Sequence, residues 1–282
     1  KVFDIHDELV FSRRFCIYEE LARVSSSVNR PQNMDRFNTH QSIHFSITPI
    51  KGIFRNPEKN LFIHLIQNRQ WNNEIKDLQP QYLSGRTLEY FYEQPSQFEG
   101  GNEFYFFDSK DLRISTPNIS HTNKSELYET YLNIDIPQIY KNYSYSQDLN
   151  GSYEIRNIMM SGNPNNESDY SFVYFSLASD KKISDGEIYV YGGFNNYGIS
   201  DLNRMYYNPS LGIYEGVILL KQGFYNYKYV IREREIINHN GISGSHALTE
   251  NDYLVFAYYR DIGAEYDSLI GVGKCNSFNL QN

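Results

Sequence analysis

His40 and His44 stand four residues apart, the spacing at which a helix presents two imidazoles to one zinc ion. The residues around them, SIHFSITP, alternate apolar and polar and read as a strand. In a strand four residues cover ~13 Å at ~3.3 Å each, too far for one ion. His44 and His64 could face one another across neighbouring strands, but no third ligand accompanies them. Glu19-Glu20, Asp108-Ser109-Lys110-Asp111 and Glu265-Tyr266-Asp267 are carboxylate pairs on paper. General acid–base work needs two carboxyls at a set separation in a cleft, and turn or surface roles suit these groups better. No Gly-x-Ser-x-Gly elbow, phosphate loop or dinucleotide fingerprint occurs. Cys16, within RRFCIYE, reads as a buried, inert thiol in a strand interior. The residues therefore predict no catalytic centre, no metal site and no cofactor.

The elements that would position any site are strands. The chain has 282 residues, 40% of them hydrophobic, enough for two cored domains. Aromatic residues make up 16%, with 26 Tyr and one Trp. Tyr and Phe favour pleated, half-buried surfaces, and Tyr is also enriched where proteins meet partners. A net charge of −8 disfavours a nucleic-acid partner. Cys16 and Cys275 alone make neither a metal site nor a disulfide framework. No run of 18 apolar residues crosses a membrane as a helix, and no signal peptide opens the sequence.

Period-two patterns recur along the whole chain, with almost no helical periodicity. SIHFSITP sets Ile43, Phe45 and Ile47 on one face. LFIHLIQN, TLEYFYE, NEFYFFD and ELYETYLNI follow, punctuated by Gly52, Pro57, Gly85, Gly100-Gly101 and Pro117. From 135 to 169 the chain is polar and Tyr-rich. DYSFVYFSLAS, GEIYVYGGF, RMYYN, GIYEGVILL, GFYNYKYVI and NDYLVFAYYR then form a second series, and the tail CNSFNLQN is expected to fray. Strands at this spacing predict an all-β chain of tandem, immunoglobulin-like antiparallel sandwiches. The expected divisions are 1–19, a hairpin, 20–145, a first sandwich, and 146–282, a second. Gly100-Gly101 before FYFFD predict a positive φ or a close backbone approach, and the aromatic residues on both faces of that strand predict core. Asn118, Asn123, Asn142, Asn150 and Asn166 open Asn-x-Ser sequons, which matter only in a eukaryotic secretory route.

LVFSRRFCIYE, WNNEIKDLQPQYLSGRTLEYFYE, FEGGNEFYFFDSKDLR, YVYGGFNNYG with NRMYYNPSLGIYEGVILLKQGFYNYKYV, and TENDYLVFAYYRDIGAEYDSLIGV occur in this order. Together they resemble the type IX secretion system plug proteins of Bacteroidota, long known only as a conserved domain of unknown function. The resemblance covers nearly the whole chain. It implies a non-enzymatic periplasmic protein, associated with the outer membrane, that occludes the periplasmic opening of the translocon barrel while no substrate passes. Family members carry a further N-terminal domain, of which residues 1–19 would be the last hairpin.

Residues 187–231 separately resemble the glycogen-binding type of immunoglobulin-like module. In sugar-binding examples the turn carries a Trp where this chain has Tyr197, and the one Trp here, Trp71, lies elsewhere. This resemblance implies an alternative, a carbohydrate-binding module with Tyr197 stacking on a sugar. The GGFNNYG turn is expected to act instead as a partner-contact loop through Phe194, Asn195 and Tyr197. The plainer expectation is that Gly192-Gly193 make the turn and Phe194 packs the sandwich edge.

Overall fold

The computed structural model describes residues 1–11, 14–114, 116–158, 162–278 and 280. The chain is all-β, and its only α-helices among the described residues are the four-residue turns Pro57–Asn60 and Pro164–Glu167. It divides into two compact units. One comprises 1–28, 43–96 and 253–275, the other 29–42, 97–252 and 276–282.

In the first unit residues 45–47 of the strand His40–Pro49 pair with Thr87–Tyr90, and residues 253–259 of Asp252–Tyr259 pair with Leu61–Gln67. The alternation of SIHFSITP holds: Ile43, Phe45 and Ile47 are buried, and Phe45 stacks on Tyr90 at 4.4 Å. His44 and His64 lie in different sheets rather than on neighbouring strands. Val2–Phe3 and Leu9–Phe11 form a small hairpin within the expected 1–19 segment.

The second unit is a sandwich. One sheet has the order Ile119–Lys124, Tyr128–Leu132, Tyr170–Ala178, Ile213–Lys221, Tyr206–Asn208. The other is built on the long strand Gly223–Glu233, which pairs with Tyr105–Asp108, Tyr153–Ile155, Glu187–Tyr191 and Ile236–Asn238. The core between them holds Phe107, Val173, Phe175, Leu177, Tyr214, Tyr225, Tyr227 and Tyr229.

Three expectations need correction. No cut falls at 145/146. Strand pairing ignores it, because Tyr105 is in register with Tyr227 and Val255 with Leu65. The units are therefore interleaved in sequence rather than tandem. The sheets are also not purely antiparallel: Tyr128–Leu132 runs parallel to Tyr170–Ala178, which the long 133–169 connection permits. Finally, the tail is anchored at its start. The last strand reaches Asn276, and buried Ser277 donates to the Thr249 carbonyl and accepts from Asn251 N–H at 2.8 Å each.

The Gly100-Gly101 expectation is met by both residues in different ways. Gly101 has φ +66°, and a Cβ on Gly100 would overlap the His246 carbonyl. Core packing of FYFFD holds for Phe104 and Phe107, which are buried. Phe107 stacks on Tyr225 at 5.0 Å, and on the other face Phe106 stacks on Phe224 at 5.5 Å.

Candidate functional site

The GGFNNYG turn is built from within. Gly192 is extended rather than left-handed, and a Cβ there would lie 2.8 Å from the Asn226 carbonyl. The reversal comes instead from Asn196 and Tyr197, at φ 53° and 55°. Phe194 is half-buried, packs on the core and meets Tyr225 edge-on at 5.8 Å. Asn195 donates to the Val190 carbonyl at 3.0 Å and accepts from Gly192 N–H at 3.3 Å. Tyr197 leans on Tyr191 at 5.4 Å and donates to the Asn150 carbonyl at 3.3 Å. All three side chains are committed to the fold, so the structure brings them together as packing and not as a presented patch. The same contacts leave Tyr197 half-buried in the turn.

Three of the candidate carboxylates are engaged in ion pairs. Arg156 pairs with Asp108 at 2.7 Å, Arg113 with Asp111 at 2.9 Å and Arg260 with Asp267 at 2.7 Å. His64 meets Glu74 at 2.8 Å, and His44 packs on Phe91 at 5.6 Å. No group of three His, Cys, Asp or Glu suited to a metal exists among the described residues. Cys16 is exposed and outside any strand, against its reading as a buried strand residue.

What the turn lacks, the outward face of the second unit's first sheet supplies. Strand alternation sends Val173, Phe175 and Leu177 inward and leaves Tyr170, Phe172 and Tyr174 outward. Register then assembles rows across strands. His121, Tyr131, Tyr174 and Val217 form one row, and Asn123, Glu129, Phe172 and Leu219 the next. His121 stacks on Tyr131 at 4.4 Å and 7°, and Tyr131 on Tyr174 at 4.3 Å and 9°. These separations match the ~4.8 Å spacing of strands, so the rings stand upright on the sheet and turn their edges to solvent. Phe172, Val217 and Leu219 are 38%, 46% and 47% exposed, and Tyr206 60%. Beside them Arg204 lies over the Tyr206 ring at 5.3 Å and pairs with Glu187 at 2.5 Å. Aromatic and aliphatic anchors surrounded by Lys221, Glu129, Glu215 and Arg204 have the composition of a protein interface. Sequence reading missed this face. Its only early signal is the alternation of YSFVYFSLA, in which both halves are apolar.

No protein-family model matches the chain, and no curated protein does. Among solved structures it is similar to a hypothetical protein from Parabacteroides merdae ATCC 43184, whose crystal structure was determined at 2.30 Å resolution. The TM-score is 0.86 at 30% identity, and the match covers 92% of this chain and 66% of that one. The chain thus spans slightly under two thirds of that protein's length. The likeness establishes the all-β sandwich architecture and a counterpart in a member of the Bacteroidota.

Proposed function

We propose that this chain is a non-enzymatic, periplasmic interaction protein of the plug kind. It docks against the periplasmic mouth of the type IX translocon barrel in the outer membrane and holds it closed while no substrate passes. The observation that carries the reading is the outward sheet face of Tyr131, Phe172, Tyr174, Val217 and Leu219, an apolar and aromatic surface. A reversible seal needs an interface of ordinary size, about 1,600 Å² in total, with aromatic anchors inside a polar rim. The likeness to a Bacteroidota protein and the order of the sequence blocks support the same reading. Upright, mutually stacked rings expose edges, whereas a pyranose stacks on a ring face, so this surface favours a protein partner over a glycan.

The test is co-purification of the translocon with this protein from a host that makes both, with permeability to large molecules measured after gene deletion. The expected result is a complex weakened by Phe172→Asp and Tyr174→Ala, and an outer membrane made leaky by deletion only when the translocon is present. Absence of any complex, together with unchanged permeability, overturns the proposal.

A further inference from the structure

A second surface of the same unit, sharing no residue with the docking face, has the character of a ligand site. The segment Lys141–Ser146, KNYSYS, lies along a cavity of about 350 Å³ whose lining includes Phe106, Asp135, Gln138, Lys141, Asn142 and Ser144. That volume lies within the range of small-molecule sites.

The segment alternates with period two. Its odd-numbered tyrosines fasten it down: Tyr143 donates to Glu103 Oε1 at 2.6 Å and to the Leu248 carbonyl at 3.0 Å, and Tyr145 meets Phe278 edge-on at 5.6 Å. Its even-numbered residues, Asn142, Ser144 and Ser146, line the cavity. Among the described residues no hydrogen bond or ion pair engages their side chains. Gln138 Nε2 donates to the Glu103 carbonyl at 3.0 Å, and Gln138 Oε1 lies beneath the surface with no partner among the described residues. Asp135 receives both of its tyrosine hydroxyls on Oδ2, so neither occupies Oδ1.

The lining offers donors (Lys141, the Asn142 amide) and acceptors (the Asn142 amide oxygen, Asp135) together with hydroxyls that serve as either. Its single carboxylate and single ammonium cancel, so nothing in it selects an ion. Phe106 adds an apolar wall. A ligand that is neutral, carries several vicinal hydroxyls and has a C–H face matches this mixture.

We propose that the cavity binds one neutral pyranose unit of a glycan, held among Phe106, Asp135, Lys141 and the Asn142–Ser144 edge of the tyrosine-pinned segment.

The test is calorimetric titration of the whole chain with glucose, galactose, mannose and N-acetylglucosamine, each alone. At least one should bind saturably. Affinity for it should fall tenfold or more in the Asn142→Ala/Ser144→Ala double variant, whose melting temperature should be unchanged because neither side chain is engaged in the fold. Tyr143→Phe, which keeps the ring and frees the segment, should also weaken binding, while Phe172→Asp on the docking face should leave it intact. Saturation by none of the four sugars overturns the proposal. So does equal affinity in the double variant, or binding of a Ser/Asn-rich peptide in place of the sugars. Co-purification with the translocon is unaffected by the double variant, so this proposal and the docking proposal fail separately.

Discussion

Tyr229 donates its hydroxyl to Oδ2 of Asp135 at 2.7 Å, across 94 residues of sequence and inside the core of the second unit. Tyr227, two residues earlier on the same strand face, donates to the same oxygen at 2.8 Å. One buried carboxylate thus satisfies two core tyrosines. Tyr227→Phe and Tyr229→Phe should each destabilise the chain by about 1–3 kcal/mol. Because the hydroxyls share one acceptor, the double variant should cost less or more than the sum, with a coupling of at least about 0.5 kcal/mol. Urea unfolding of the four proteins measures this, and strict additivity would contradict a shared site.

The buried carboxylates give the fold a pH dependence of unusual sign. Burial raises Glu103 to about 7, Asp148 to about 6 and Asp135 to about 6. In the unfolded chain these groups titrate near about 4. Between those values the folded state binds more protons than the unfolded state, so stability falls as pH rises. The contribution is fully present below about pH 4 and lost as pH passes through about 6 to 7. The melting temperature should therefore drop from pH 5 to pH 8. Glu103→Gln, which removes the charge beside Tyr143, should flatten that slope and raise stability at pH 8.

Tyr90 is fully buried, and its hydroxyl finds no partner among the described residues. Its ring stacks on Phe45 at 4.4 Å, so the ring carries the packing and the hydroxyl only a desolvation cost. Tyr90→Phe should be neutral or raise stability by about 1 kcal/mol, whereas Tyr90→Ala should lose about 3–5 kcal/mol. Chemical denaturation of both variants separates the two effects, and a large loss in Tyr90→Phe would show that the hydroxyl is bonded.

Phe194 and Phe172 should behave oppositely. Phe194 packs on the core, so Phe194→Ala should lower the melting temperature through lost burial. Phe172 faces outward, so Phe172→Asp should weaken partner capture while lowering melting less than Phe194→Ala does, its cost coming from the new carboxylate set opposite Glu129. Thermal melts paired with co-purification read both, and a binding loss in Phe194→Ala with wild-type melting would restore the turn as the contact loop.

The sequence by itself determined the class of fold and much of its local detail. Alternation is local, so Ile43, Phe45 and Ile47 announced a buried face, and Gly100-Gly101 announced backbone that a Cβ would obstruct. It also separated the histidines, since a strand cannot bring positions 40 and 44 onto one ion. Tertiary structure alone decided the rest, because strand partners are chosen by long-range pairing that no local pattern encodes. Tyr105 pairs with Tyr227 and Val255 with Leu65, which moved the unit boundaries. The same pairing decided which aromatic residues matter. Composition showed 26 tyrosines and could not sort them. Register buried Tyr225, Tyr227 and Tyr229, folded Tyr197 back onto its own turn, and stacked His121, Tyr131 and Tyr174 from three different strands into one outward row. A period of two states that alternate residues share a face, but only the packing of one sheet on another decides which face meets the core and which meets solvent.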